Sequence, residues 1–174
     1  MKFKYIKRIF FGFFIIVIIL LLGSRLPAAI INIPGDYPLI QMGIEVASTA
    51  DTVLVQPGTY TENINFEGKN ITVGSLHLLS DDTTYILTTI IDGDSSASVV
   101  TFNQGESSEA LITGFTLRRG YADFGGGVLC DSAGPTIESN IITGNLACMG
   151  GGIYCYKGSP IISRNKICFN TGLG

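Results

Sequence analysis

Two adjacent segments decide the fold of this chain: GGGVLCDSAGPTIESNIITGNLACM (residues 125–149) and GGGIYCYKGSPIISRNKICFNTGLG (residues 150–174). Aligned without gaps, they are identical at nine positions, among them the three leading glycines, one cysteine and two asparagines. A fainter copy, residues 111–124, aligns with residues 136–149. Self-similarity at a fixed period of 25 residues predicts an architecture of stacked repeats.

Each unit contains three short runs rich in β-branched residues, at VLC, PTI and NII of the first copy. Gly, Pro, Asn and Ser punctuate these runs, and no helical period extends over ten residues. The pattern predicts an all-β fold in which three short strands form one coil. Successive coils would stack as parallel strands about 4.8 Å apart. The segments 120–124 and 145–149, before the glycine triplets, are predicted to be loops.

Upstream of residue 111 the pattern is looser but consistent with the same fold. PGTY (57–60) is predicted to be a turn, and residues 76–86 and 103–109 are predicted to be loops that leave the stack. The predicted strands are TVLV (52–55), NINF (63–66), NITV (70–73), TTIID (88–92) and SVVTF (98–102).

Equivalent residues of neighbouring units should form ladders. We expect Asn140 above Asn165 at a turn, where asparagine tolerates a left-handed backbone and its amide can bond the next coil. Cys130 and Cys155 share one ladder position, which leaves a buried thiol stack, a disulfide and a metal site as alternatives. The predicted interior ladders are Val128/Ile153, Ile137/Ile162 and Ile142/Ile167.

The first 29 residues have the composition of an export segment. Four cationic residues precede an apolar run from Ile9 to Leu22, and small residues follow it. Residues 1–29 are therefore predicted to be a cleaved secretory signal peptide or an uncleaved membrane anchor. In either case we expect residues 30–174 to be exported, secreted or held at the cell surface. Membrane contact would be made only through residues 1–22, if they are retained.

Both ends of the predicted stack raise the question of what covers its core. Apolar residues recur at helical spacing over residues 38–48 (PLIQMGIEVAS), and Pro38 suits a first helical turn. We expect an amphipathic helix there that caps the stack, because an open solenoid end exposes core and strand edges. Residue 174 falls inside an element that should open another coil. The sequence thus predicts a chain truncated at its C-terminus, or one that pairs end-on with another chain.

Charge and aromatic content limit the partners. Residues 1–29 hold five of the eleven Lys and Arg and none of the fourteen Asp and Glu, so the remainder carries a net charge of −8. This charge argues against nucleic acid as a partner and is compatible with a polysaccharide or cell-surface glycan. Aromatic faces stack on sugar rings, so four aromatic residues near the glycine triplets are candidate glycan contacts. The alternative interpretation is that these side chains only pack loops on the stack. The candidate glycan contacts are Tyr121, Phe124, Tyr154 and Tyr156.

Residues 33–66 (IPGDYPLIQMGIEVASTADTVLVQPGTYTENINF) resemble the N-terminal part of bacterial β-helix proteins of the pectin-lyase-like superfamily. The unit GGGI…SPIISRN (150–165) resembles the repeats of the same secreted and surface proteins. This resemblance implies a right-handed parallel β-helix over residues 30–174. The series PGTYTENI, KNITV, TTIIDG also looks like the opening coils of pectin methylesterases. Those enzymes carry their aspartates, glutamines and arginine in later coils, and no matching segment occurs here.

Polysaccharide lyases of this fold bind Ca²⁺ through clustered aspartates and use a basic residue to remove a proton. An enzyme would therefore depend on Asp92, Asp94 and Asp123 together with Arg118 and Arg119. Ca²⁺ takes six to eight oxygen ligands, and the adjacent carboxylates of Asp92 and Asp94 supply too few of them. We therefore favour a solvated turn at these two aspartates. Surface ion pairing is the competing interpretation of the two arginines.

These observations predict an exported, non-catalytic β-helix module for surface structure, adhesion or glycan contact, without a cofactor or metal site. His77, the sole histidine, is predicted to be a surface or loop residue without zinc-binding neighbours. One alternative is a carbohydrate-active enzyme: a polysaccharide lyase, which could require Ca²⁺, a glycoside hydrolase or a pectin methylesterase-like protein. The other is a fragment of a longer surface protein.

Overall fold

The structure, a computed structural model, describes residues 27–174. Residues 1–26 of the predicted signal or anchor segment (residues 1–29) lie outside the described residues. Within the described part the chain is predominantly β, and every strand pair is parallel. Each of the four sheets collects one strand from successive coils, so the architecture is consistent with a β-solenoid.

The four sheets, A to D, are defined by the following strands. Sheet A contains β1 (Ile30–Ile33), β2 (Thr52–Val55), β5 (Thr72–Ser75), β8 (Leu111–Thr113), β12 (Thr136–Glu138) and β16 (Ile161–Ser163). Sheet B contains β3 (Gly58–Thr61), β6 (Thr89–Asp92), β9 (Thr116–Arg118), β13 (Ile141–Thr143) and β17 (Lys166–Cys168). Sheet C contains β4 (Ile64–Asn65), β7 (Val100–Phe102), β11 (Val128–Asp131) and β15 (Ile153–Tyr156). Sheet D contains β10 (Tyr121–Phe124), β14 (Leu146–Met149) and β18 (Thr171–Gly172).

The interior of the stack is built from the inward-facing residues of the strands. In the middle coils the inward residues Val128, Ile137 and Ile142 are completely buried, as the ladder pattern predicts. Their partners one coil later are in register, but Ile162 and Ile167 are 44% and 49% exposed. The difference arises because β16 and β17 lie at the outer edges of sheets A and B, where no described strand covers them.

The prediction of three strands per coil was wrong, because the later coils contain a fourth. The segments 120–124 and 145–149, predicted to be loops, form β10 and β14, which pair with Ala122 opposite Ala147. The predicted turn at 57–60 is likewise replaced by β3, which pairs with β6. These segments lack an apolar alternation, and backbone pairing with the next coil makes them strands.

Asparagine side chains connect the coils at the turn between sheets A and B. The Oδ1 atom of Asn140 accepts a hydrogen bond from the Phe115 N–H (3.0 Å), and its Nδ2 donates to the Ile112 carbonyl (3.0 Å). Asn165 repeats this one coil later and accepts from the Asn140 N–H at 2.9 Å. The expected left-handed asparagine was wrong: Ser139, the preceding residue, takes that conformation (φ 55°), which frees the amide to reach the neighbouring coil.

A second asparagine ladder follows sheet B. The sequence showed only that Asn145 and Asn170 are identical residues of the two units, and it predicted no role for them. Asn145 accepts a hydrogen bond from the Gly120 N–H (2.8 Å) and donates to the Leu117 carbonyl (3.1 Å). Asn170 in turn accepts from the Asn145 N–H at 3.0 Å. Backbone groups that the turns leave without strand partners are thereby satisfied inside the stack.

Helix α1 (Ile40–Val46) lies within the predicted range 38–48 and packs against β1, β2 and β4. Its buried face consists of Ile40, Gly43 and Ile44. The Glu62 carboxylate accepts hydrogen bonds from the N–H groups of Ile40 (2.9 Å) and Gln41 (3.0 Å), which satisfies donors that a helix start leaves free.

The predicted loop 76–86 contains helix α2 (His77–Ser80) and the first turn of helix α3 (Thr84–Thr88). The prediction of a surface histidine was wrong, because His77 is 9% exposed. Its Nδ1 lies 3.2 Å from the Asp82 carbonyl, and Gly114 leaves room for its Cβ.

Residues 103–109 contain no helix or strand, as predicted. Across residues 27–174, none of the helices has the length and apolar character needed to cross a membrane.

Replacing Asn145 with alanine should lower the free energy of unfolding by about 2 kcal/mol, because the buried Gly120 N–H and Leu117 carbonyl lose their partner. Urea unfolding followed by circular dichroism measures the change. The control is Asn103→Ala, which removes an exposed amide with one long contact (3.4 Å) and should change the value by less than about 0.5 kcal/mol. Equal effects of the two substitutions would contradict the role of the ladder.

Candidate functional site

The structure brings together four of the five residues that the enzyme alternative needs. Asp92 at the end of β6 lies in register with Arg118 at the end of β9, and the Arg118 Nε atom is 2.9 Å from the Asp92 carboxylate. Arg119 contacts the same carboxylate through Nη1 (3.3 Å) and Asp94 through Nη2 (2.7 Å). Asp123 has no ion pair with these residues; its nearest polar contact is the Cys148 thiol at 4.0 Å.

The expectation of a solvated turn is wrong for Asp92, which is 2% exposed, and right for Asp94, whose side chain is 63% exposed. Burial by itself would raise the pKa of Asp92. The hydrogen bond from Arg118, the N–H of Asp94 and the two guanidinium charges outweigh burial and hold the pKa below its ordinary value of 3.8. At neutral pH the cluster is therefore a closed ion-pair network in which both arginines already have carboxylate partners.

The cysteine ladder is in register, with Cys130 opposite Cys155 on β11 and β15. All four cysteines are free; Cys130 is buried and Cys155 is exposed. The hydrogen bond between the two thiols and the burial of Cys130 raise the pKa of Cys130. The same hydrogen bond lowers the pKa of Cys155 to about 7, because the Cys155 sulfur accepts it. Within residues 27–174 no three His, Cys, Asp or Glu side chains are grouped so that they could hold a metal ion.

The aromatic residues form a surface around the junction of sheet D and sheet C, which we call the corner patch. Phe124, Met149 and Tyr154 lie at the junction, whereas Tyr121 begins β10 and Tyr156 ends β15, on the strands that extend away from it. The rings of Phe124 and Tyr154 are 4.9 Å apart between centroids, and Met149 is in register with Phe124 on the adjacent strand. Tyr121 is 51% exposed, Tyr156 is 48% exposed and Tyr154 is half-buried. Met149 was not predicted, because only aromatic side chains were taken as candidates for stacking on sugar rings.

The glycine triplet positions this patch at the turn between the two sheets. Gly125 has a positive φ of 62°, which favours glycine, and turns the chain from β10 toward β11. Gly126 approaches the backbone of the next coil so closely that a Cβ would lie 2.5 Å from the Leu146 carbonyl oxygen. Larger residues would force the coils apart at the corner where Phe124 meets Tyr154.

The geometry thus defines a stack of parallel sheets with two outward-facing groups, a closed ion-pair network and an exposed aromatic corner. Comparisons with known protein families, with curated proteins and with solved structures found no match for this chain.

Asp92→Asn should destabilise the protein at pH 7 by about 2 kcal/mol, because two arginines lose the charge of a buried partner. The folded-state pKa of Asp92 is lowered, so its stabilising contribution is complete above pH 3.8 and is lost as the pH falls through the lowered value. Urea unfolding at a series of pH values should show the wild-type and variant curves converging below pH 3.8. Asp94→Asn is the exposed control and should change stability by less than about 0.5 kcal/mol.

Alkylation of Cys155 by iodoacetamide should reach half its maximal rate near pH 7, because the thiolate is the reactive form. Cys130→Ala removes the donated hydrogen bond and should shift this midpoint upward, toward the ordinary value of 9.0. Peptide mass spectrometry gives the rate at each site, and Cys168→Ala is the control that should leave it unchanged. An unshifted midpoint in the Cys130 variant would contradict the coupling.

Proposed function

We propose that this chain is an exported right-handed β-helix module of the pectin-lyase-like type that contacts glycans without catalysing their cleavage. The parallel stack and the in-register ladders support the scaffold. The basic and apolar composition of residues 1–29 supports export. Helix α1 would act as the N-terminal cap, because its buried face covers apolar residues of the first coils.

The corner patch is the observation that carries the glycan contact. Its exposed side chains stand on strands whose backbones are fixed by hydrogen bonds to neighbouring coils, so they form a rigid surface. Exposed apolar patches on exported proteins mark interaction sites, and tyrosine combines a flat apolar face with a polar tip. A sugar ring can stack on these faces while its hydroxyls bond to the tips and to solvent.

A carbohydrate-active enzyme is the second candidate, and the convergence of Asp92 and Asp94 on Arg119 favours it. An inverting hydrolase needs two carboxyl groups about 6.5–9.5 Å apart with room for a water molecule. Here Arg119 contacts both carboxylates, and the low pKa of Asp92 makes it a poor proton donor. The closed network therefore supports a structural role. Release of reducing ends or unsaturated uronates from a polysaccharide would instead support the enzyme.

Removing the aromatic rings should weaken glycan binding. The double variant Phe124→Ala, Tyr154→Ala should lose roughly tenfold in affinity, because two stacking faces disappear. Affinity gel electrophoresis in neutral, acidic and amino polysaccharides measures this loss, and circular dichroism verifies the fold of each variant. Leu79→Ala, Leu87→Ala is the matched control, because it removes two exposed apolar side chains on α2 and α3. If the wild-type protein bound none of these polymers, the proposed function would be wrong.

A further inference from the structure

We propose that the corner patch selects uncharged polysaccharides over carboxylated ones. This inference rests on the proposed function, and it concerns the charges that surround the aromatic residues. Two carboxylates, those of Asp123 and Asp131, lie on the strands that carry or adjoin the patch.

Asp123 belongs to the same strand as two patch residues. On β10 the equivalent of the completely buried Ala147 is Ala122, so this strand points Ala122 inward and its neighbours Tyr121 and Asp123 outward. The Asp123 side chain is exposed and, with Tyr121, belongs to the outer face of sheet D. A polymer that contacts Tyr121 on this outer face would pass the Asp123 carboxylate, which lies two residues along the strand.

Asp131 borders the patch on the other side. It lies directly opposite Tyr156 in the parallel register of β11 and β15, while its neighbour Cys130 points into the core. The Ser132 hydroxyl donates a hydrogen bond to it at 3.0 Å. Adjacent parallel strands are about 4.8 Å apart, so this carboxylate lies within reach of a ligand on Tyr156.

The cation at the patch does not balance these charges. Lys157 places its Nζ atom 4.9 Å from the centre of the Tyr156 ring, and among the described residues it forms no ion pair with Asp123 or Asp131. Arg118 and Arg119, which precede β10 in the same coil, are paired with Asp92 and Asp94. Residues 30–174 also carry a net charge of −8, which adds a repulsive background.

A polyuronate carries one carboxylate per sugar, so each sugar bound near Asp123 or Asp131 would meet a like charge. The repulsion acts over about 10 Å at 0.1 M salt and is screened further as salt rises. An uncharged polymer with the same backbone stacks on the same rings without this cost. Charge thus sets the selectivity, whereas the aromatic residues supply the affinity.

The test compares polymers that share a backbone and differ in charge: hydroxyethylcellulose with carboxymethylcellulose, and fully methyl-esterified with de-esterified homogalacturonan. Affinity gel electrophoresis at low salt should show the wild-type protein binding the neutral member of a pair roughly fivefold more tightly, with the gap closing at high salt. The variant Asp123→Asn, Asp131→Asn should bind the carboxylated member roughly threefold more tightly than wild type and the neutral member equally.

The matched control is Asp81→Asn, Glu109→Gln, which neutralises two exposed carboxylates outside the patch and should leave both affinities unchanged. Equal or tighter binding of the carboxylated polymers by the wild-type protein would overturn the selectivity and leave glycan binding intact. The selectivity of the patch would also be overturned if the control variant gained as much affinity as the patch variant. Failure of all four polymers to bind would overturn the proposed function itself, and the inference with it.

Discussion

The in-register stacking of parallel strands is the constraint on which the rest of this structure depends. Each strand takes its hydrogen bonds from the coil before and the coil after, so a residue lies directly above its equivalent rather than beside a sequence neighbour. A coil cannot bury its own apolar side chains, and only the stack turns single valines and isoleucines into a continuous core. The column that begins with the packed rings of Phe66 and Phe102 continues through Cys130 to Cys155, and each member must fit those above and below it.

The same constraint explains the polar residues inside the stack. Between strands the chain turns sharply, and its N–H and carbonyl groups point into a dry interior where unpaired groups are costly. Asn140 and Asn145 solve this problem by bonding one coil with Oδ1 and Nδ2 while their own N–H groups bond the next. Among the described residues, the Thr89 hydroxyl is the one buried side-chain polar group left without a partner.

Outward-facing residues do not have to fit the packed core, and the charged and aromatic groups of the molecule lie among them. The stack brings Asp92 and Arg118 from different coils into hydrogen-bond contact, and it assembles the corner patch from three strands. In the first case each charge is paired with an opposite charge, although only Asp92 is buried. In the second, the apolar faces remain open and carboxylates flank them. The contrast between a closed ionic group and an open aromatic one underlies the proposal of binding rather than catalysis.

The sequence by itself determined the repeat, the inward ladders and the stacked asparagine and cysteine pairs, because residues 25 apart in similar units must occupy equivalent places in a solenoid. It did not reveal β3, β10 and β14, whose sequences carry no strand pattern and which become strands by pairing with another coil. It also misjudged Asp92 and His77, since burial depends on what the neighbouring coil places over a residue. In the early coils Thr52 pairs with Thr72 and Thr72 with Leu111, so unequal insertions hide the register there. Local pattern therefore decided the repeat, whereas contacts between coils decided which side chains are enclosed.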